Sequence, residues 1–153
     1  MKTLLITHKA DPDGISPVIF LKMIRDNLDY ILLNANDVIP KTQEILKNKS
    51  YLNYDEIFIT DLTLDKQTCE MIMATGRSEM FHVFDHHAFN LVANNYPFGT
   101  AISTNKDGVN ECATSLLYKY LVTTNPEVFD TNCIRDYTEL IRLSDTWDWA
   151  KTN

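Results

Sequence analysis

Five aspartates and three histidines, gathered in four short clusters, are the residues of this chain best suited to chemistry. The first cluster is His8-Lys9-Ala10-Asp11-Pro12-Asp13-Gly14, Asp61 stands by itself, Asp85-His86-His87 are consecutive, and Asp145 lies near the end of the 153 residues. Brought to one place, these carboxylates and imidazoles would repel one another and resist losing water unless cations neutralised them. Two divalent ions would do so and would create a hydrolytic centre.

A pair of hard ions about 3.5–4 Å apart needs oxygen and nitrogen ligands and a carboxylate able to bridge. Asp61 is the natural bridge, because it follows a run expected to form a central strand. If Asp11-Pro12-Asp13 is extended, its two acids point to opposite sides and serve different ions, with Pro12 holding the turn and Gly14 letting the chain bend into a helix. One ion then takes His8, Asp11 and Asp61, and the other takes Asp13, Asp61, His86 and Asp145. A ligand set of imidazole and carboxylate without thiolate suits Mn²⁺ best, with Mg²⁺, Co²⁺ or Fe²⁺ as alternatives. His87 is surplus to the ligands and is placed to contact a phosphate or protonate a leaving oxygen, while Asp85 is expected to orient a ligand histidine.

Convergence of these clusters requires a particular fold. The runs Leu4-Leu5-Ile6-Thr7, Tyr30-Ile31-Leu32-Leu33, Ile57-Phe58-Ile59-Thr60 and Phe81-His82-Val83-Phe84 are apolar and bounded by polar residues, as buried strands are. Helical spacing between them predicts helices over residues 15–27, 38–47 and 64–75. The alternation makes this an α/β chain, with a mostly parallel sheet, right-handed crossovers and helices on both faces. Two more helices carry the stripes Ala113, Leu116, Leu117, Tyr120, Leu121 and Ile134, Tyr137, Ile141, the second leading to Asp145. Residues 89–111 read as a long surface loop with one short strand near 100–103. In a doubly wound sheet, ligands bind beyond the carboxyl ends of the strands, where Asp11, Asp13, Asp61, Asp85, His86 and His87 all fall.

Composition narrows the partners. The length fits one domain, and a net charge of −7 argues against a broad grip on duplex DNA. Bound metals would reverse the sign locally, so small phosphorylated substrates remain compatible. Cys69, Cys112 and Cys133 lack a zinc-binding or disulfide pattern and read as buried thiols in a reducing compartment. No signal peptide or membrane span is legible, so a cytoplasmic protein without a membrane partner is expected.

Taken in order, His8-x-x-Asp11-x-Asp13-Gly14, Asp61, Asp85-His86-His87 and Asp145 resemble the catalytic domain of the DHH phosphoesterase superfamily. Ala113-Thr114-Ser115-Leu116-Leu117-Tyr118, Tyr137-Thr138-Glu139-Leu140-Ile141 and Asp145-Thr146-Trp147-Asp148-Trp149 look most like the nano-RNase B-type oligoribonucleases. The resemblance spans residues 2–149. It implies a Rossmann-like DHH domain over 1–153 with two metal ions, held by His8, Asp11, Asp13, Asp61, His86 and Asp145, and with His87 against the substrate. It implies hydrolysis of short single-stranded oligonucleotides from an end, or else of a small nucleotide such as 3′-phosphoadenosine 5′-phosphate or a cyclic dinucleotide. Family enzymes continue into a second, glycine-rich lobe that grips the substrate, and this chain has no room for one. A missing C-terminal lobe or a partner would complete the site, or the substrate is held without it.

Other readings stay open. Acids at the ends of the first and third strands also mark phospho-accepting receiver domains, though these would leave the paired histidines unexplained, and a metal- or nucleotide-binding module without activity fits the ligand set too. Trp147 and Trp149 could stack on a nucleobase, but core packing is the expectation for large aromatics. Thr114 and Ser115 could donate to a phosphate or cap a helix. His82, inside a strand and out of step with the clusters, is expected to be structural.

Overall fold

The computed structural model describes residues 1–87 and 91–151. Five strands, β1 (Lys2–His8), β2 (Asn27–Leu33), β3 (Glu56–Thr60), β4 (Phe81–Asp85) and β5 (Gly99–Ala101), form one parallel sheet in the order β2-β1-β3-β4-β5. Helices α1 (Pro12–Lys22), α2 (Val38–Lys47) and α3 (Lys66–Ala74) connect the first four strands, and α4 (Ala113–Thr124), α5 (Pro126–Phe129) and α6 (Asn132–Asp145) follow the sheet. The strand order reverses between β1 and β3, which opens a crevice beyond their carboxyl ends.

Alternation along the strands builds two cores. Leu4, Ile6, Ile57, Ile59, Phe81 and Val83 pack against Val38 and Ile45 of α2 and Cys69 and Ile72 of α3. Leu5, Phe58 and Phe84 face the other way, toward Phe20 and Leu21 of α1, Leu116, Leu117 and Leu121 of α4, and Phe129 of α5. Each such side chain contributes about 1.5–3 kcal/mol when fully buried, so the sheet is clamped from both faces and its strand ends are held in register. Ile6 pairs with Ile59, Thr7 with Thr60, and Thr60 with Phe84, which brings the last residues of β1, β3 and β4 level.

The structure corrects several local expectations. The helix read over 15–27 begins at Pro12 and ends at Lys22, and Asn27 is already the first residue of β2. Asp11-Pro12-Asp13 is therefore not an extended stretch. Asp11 is the N-cap, with its carboxylate accepting from Gly14 N at 2.8 Å, Pro12 is the first helical residue, and Asp13 lies in the first turn. This is the arrangement for which an aspartate and a proline suit a helix start. The short strand falls at Gly99–Ala101, within a loop that also contains a 3-10 turn over Val92–Asn95 and a bridge between Thr104 and Asn110. Residues 89 and 90 of that loop lie outside the described residues. Cys69 and Cys112 are buried, but Cys133 is exposed. Among the described residues, no helix is long and apolar enough to cross a membrane.

Candidate metal centre

The first cluster is set by how closely α1 approaches β1. A Cβ at Gly14 would lie 2.2 Å from the His8 carbonyl oxygen, so any larger residue there would push the start of α1 away from the strand. Thr60 donates to the Thr7 hydroxyl at 2.8 Å, and Thr7 donates to the Gly14 carbonyl at 2.7 Å, which ties β3, β1 and α1 together at that end. Pro17, inside α1, has no N–H to offer the Asp13 carbonyl four residues earlier. The Thr114 hydroxyl donates to that carbonyl instead, at 3.0 Å.

Thr114 belongs to a second constraint on Asp13. The two carboxylate oxygens of this residue, which is 1% exposed, accept from the Ala113 and Thr114 amides, each at 2.8 Å. These amides are the first of α4, so the aspartate sits at the positive end of the helix dipole. The N-terminus of α4 is thus filled by a carboxylate of the chain, and the reading of Thr114 and Ser115 as phosphate donors gives way. Ser115 forms the capping box with Cys112 and also donates to buried Glu111 at 2.6 Å. Glu111 further accepts from Asn105 at 2.7 Å and from Lys119. Burial opposes its ionisation, but these bonds, the lysine's foremost, hold its carboxyl below the usual range. The 103–111 loop and the first turn of α4 are locked together in this way.

Asp61 follows β3 with a left-handed backbone, φ 56°, and its amide donates to the Phe84 carbonyl at 2.9 Å. An aspartate tolerates this region better than most residues, and the turn aims its buried carboxylate across the crevice. Its Oδ2 lies 3.5 Å from His8 Nδ1, which is itself 2.9 Å from Asp11 Oδ2. Its Oδ1 lies 3.2 Å from His86 Nε2. The same His86 nitrogen is 3.7 Å from Asp13 Oδ2 and 3.5 Å from Asp145 Oδ2. Three groups that could hold a metal ion result: His8 with Asp11 and Asp61, Asp13 with His86 and Asp145, and Asp61 with His86 and His87.

The electrostatics are those of crowded acids with too little positive charge. Burial, aided by the charges of Asp13 and Asp11, pushes Asp61 up to about 6 against the opposing hydrogen bond to His86. Burial also raises Asp145, with Asp13 adding to it. His86 is raised to about 9: burial disfavours its charged form, but its bond to Asp61 and the charges of Asp13 and Asp145 outweigh that. Asp145 Oδ2 is buried without a hydrogen-bond partner among the described residues. An orphaned buried carboxylate oxygen beside three other acids fits a bound cation, and the hard oxygen and nitrogen donors fit a divalent one.

Asp85 and His87 are arranged differently from the sequence-based expectation. The histidine ring that Asp85 holds is that of His87, with Nδ1 2.6 Å from Oδ1, while His86 gives Asp85 only its backbone N–H, at 2.8 Å. Thr63, which no pattern in the sequence singled out, donates to the other oxygen at 2.7 Å. Burial opposes ionisation of Asp85, but the bonds from His87 and Thr63 prevail and hold its carboxyl low. Asp85 in turn raises His87. His82 stacks on Phe58 with ring centroids 4.8 Å apart, away from the cluster. Trp147 and Trp149 are 67% and 52% exposed, so the core-packing expectation for them is overturned.

Arg142, buried on α6, pairs with Glu139 and Asp148, both at 2.7 Å, and donates to the Asn110 carbonyl at 2.9 Å. It fixes the end of α6, and with it Asp145, to the 103–111 loop. The Glu139 pair is an ordinary i, i+3 helix contact, whereas nothing local in the sequence marks the contact with Asn110, 32 residues away.

No family model matches the sequence. The oligoribonuclease NrnB of Bacillus subtilis (strain 168) is 33% identical over 153 aligned residues, which cover 96% of this chain and 37% of that protein. The crystal structure of an uncharacterized protein from Helicobacter pylori G27 superimposes with a TM-score of 0.75 at 21% identity, covering 97% of this chain and 44% of that one. The fold is thus one found in solved structures, and the chain is similar along nearly its whole length to a stretch spanning little more than a third of an oligoribonuclease.

Proposed function

We propose that this chain is the metal-binding catalytic domain of a DHH-superfamily phosphoesterase that hydrolyses phosphodiester bonds in short single-stranded oligonucleotides. The observation that carries the proposal is the division of Asp61, whose Oδ2 faces His8 and whose Oδ1 faces His86. His8, Asp11 and Asp61 would hold one divalent ion, and Asp13, His86, Asp145 and the other oxygen of Asp61 a second. The similarity to NrnB supports short oligoribonucleotides as the substrate class. Mn²⁺ is the ion we favour on ligand chemistry.

When bound, the two ions would supply an activated water and neutralise charge on the phosphate. The protein's own residues do the rest. Asp13, fixed by two amides, and Asp145, fixed through α6, flank His86 and hold its ring in place. Asp85 keeps a proton on His87 Nδ1, which leaves Nε2 to carry the proton delivered to the leaving oxygen, and its charge favours the cationic ring that such an acid requires. A second lobe, from further chain or a partner, would grip the rest of the substrate and close the crevice. A receiver domain would leave the convergence of His86 with three carboxylates without a role.

The test is turnover of two- to five-residue oligoribonucleotides with Mn²⁺, measured beside 3′-phosphoadenosine 5′-phosphate and cyclic dinucleotides. We expect the oligoribonucleotides to be the preferred substrates. His87→Ala should keep both metals and lose about 10²–10⁴-fold in turnover, the range general acids contribute. An unchanged rate would remove His87 from the mechanism, and hydrolysis of none of the three classes, with or without the remaining length of a full-length relative, would refute the reading.

A further inference from the structure

We propose that Trp147 forms a nucleobase-stacking subsite beside the metal centre, so that the base of a bound nucleotide lies on its indole ring. The inference rests on the reading of the centre as a site for a nucleotide phosphate. Asp11, Asp13, Ser144, Asp145 and Trp147 line one cleft of about 200 Å³, which places an aromatic residue beside three of the proposed metal ligands. The ring is 67% exposed. Trp149 stands beside it, ring centroids 6.0 Å apart and tilted by 35°.

The backbone holds this ring where local preference would not. Helix α6 ends at Asp145 with Thr146 as its cap, and Trp147 follows in the left-handed region at φ 59°. Glycine is the ordinary residue for that position, and a bulky side chain there is strained. The strain is maintained from both sides. Thr146 donates to the Arg142 carbonyl through its amide at 3.0 Å and its hydroxyl at 2.8 Å. Asp148 is held by Arg142 and Lys151, each at 2.7 Å, and by Asn110 at 3.0 Å. A clamped turn that presents an indole to solvent next to a cluster of acids contributes nothing to the core. It offers an exposed aromatic ring on a cleft shared with Asp11, Asp13 and Asp145, which suits a nucleotide better than a base-free phosphate. Stacking of this kind tolerates any base.

The chain contains two tryptophans, Trp147 and its neighbour Trp149, so tryptophan emission reports on this end of the chain. We would titrate the Mn²⁺-loaded protein with adenosine 5′-monophosphate and with ribose 5-phosphate, reading affinity by calorimetry and emission in parallel. The nucleotide is expected to bind about tenfold or more tighter than the sugar phosphate and to quench the emission. Trp147→Phe should keep most of that preference. Trp147→Ala should remove it while ribose 5-phosphate affinity stays within about twofold. Trp147→Gly should lose the preference as well, yet melt a few degrees higher because glycine relieves the strain, which separates lost stacking from lost folding. Equal affinity of the two compounds, emission unmoved at saturation, or a Trp147→Ala protein that still prefers the nucleotide would overturn the subsite and leave the phosphate site standing. Binding of neither compound would remove both.

Discussion

Asp13 and Asp145 flank the same His86 nitrogen, at 3.7 and 3.5 Å, yet the protein treats them in opposite ways. Both oxygens of Asp13 are bonded to the first amides of α4. Asp145 Oδ2 is buried with no hydrogen-bond partner among the described residues, and its proton is held more tightly than usual. One carboxylate is built into the fold, and the other waits for something the fold does not supply. A site whose acids divide in this manner is partly scaffold and partly receptacle, so stability and metal affinity should respond to different residues.

The largest expected effect is at Asp61, which stands between the two metal groups. Asp61→Ala should lose tight binding of both ions and at least about 10³-fold in hydrolysis, since among the described residues Asp61 alone faces both His8 and His86 with its carboxylate oxygens. Retention of two ions per chain, counted by elemental analysis, would remove the bridge. Asp13→Asn should destabilise the metal-free protein by about 2–4 kcal/mol, because two amide bonds to a charged group are lost or weakened and an amide N–H₂ is turned against a backbone N–H. Denaturant unfolding of the metal-free form would measure it. Asp145→Asn should leave metal-free stability within about 0.5 kcal/mol, or raise it, since it removes a buried carboxylate that accepts no hydrogen bond and is repelled by Asp13, against the loss of one 3.5 Å contact with His86. The same substitution should weaken the second metal site by about 10–100-fold, measured by calorimetry. Equal destabilisation by the two substitutions would erase the contrast.

A smaller, graded effect is expected with pH. Asp61 and Asp145 are raised and His86 is raised to about 9, so the folded metal-free protein holds protons that the unfolded chain releases. Stability from Asp61 falls as pH rises from the ordinary carboxylate range through about 6, that from Asp145 falls in the same direction, and that from His86 is complete below about 6.5 and lost as pH rises through about 9. Asp85 and Glu111 are depressed and work the other way, losing their contribution only in acid. Melting temperature of the metal-free protein should therefore decline between pH 5 and 9, about, and saturating Mn²⁺ should flatten or reverse the decline as cations replace protons. A metal-free protein that gains stability across this window would contradict the crowding of acids.

What could be read in the sequence is what local pattern encodes. Apolar runs located β1 to β4, although β2 is an edge strand whose Tyr30 and Leu32 are exposed and not buried as expected, and the acids behind the runs located the crevice, because strand ends in a parallel sheet share one side. The partners that hold those acids were not legible. Ala113 and Thr114 reach Asp13 across 100 and 101 residues, and Thr63 reaches Asp85 by a turn whose shape depends on the left-handed Asp61. The start of α1 was legible in Asp11-Pro12 and was missed because the pair was taken for a turn. Trp147 and Trp149 were misplaced for the general reason that large aromatics usually fill cores, whereas the Arg142–Asp148 clamp that turns Trp147 outward is visible only in three dimensions.

The central claim is that Asp61 lies between two cations. Anomalous scattering from a crystal soaked in Mn²⁺ tests it most directly. Two peaks about 3.5–4 Å apart, with Asp61 between them, are the predicted result. A single peak, or peaks away from Asp61, would contradict it.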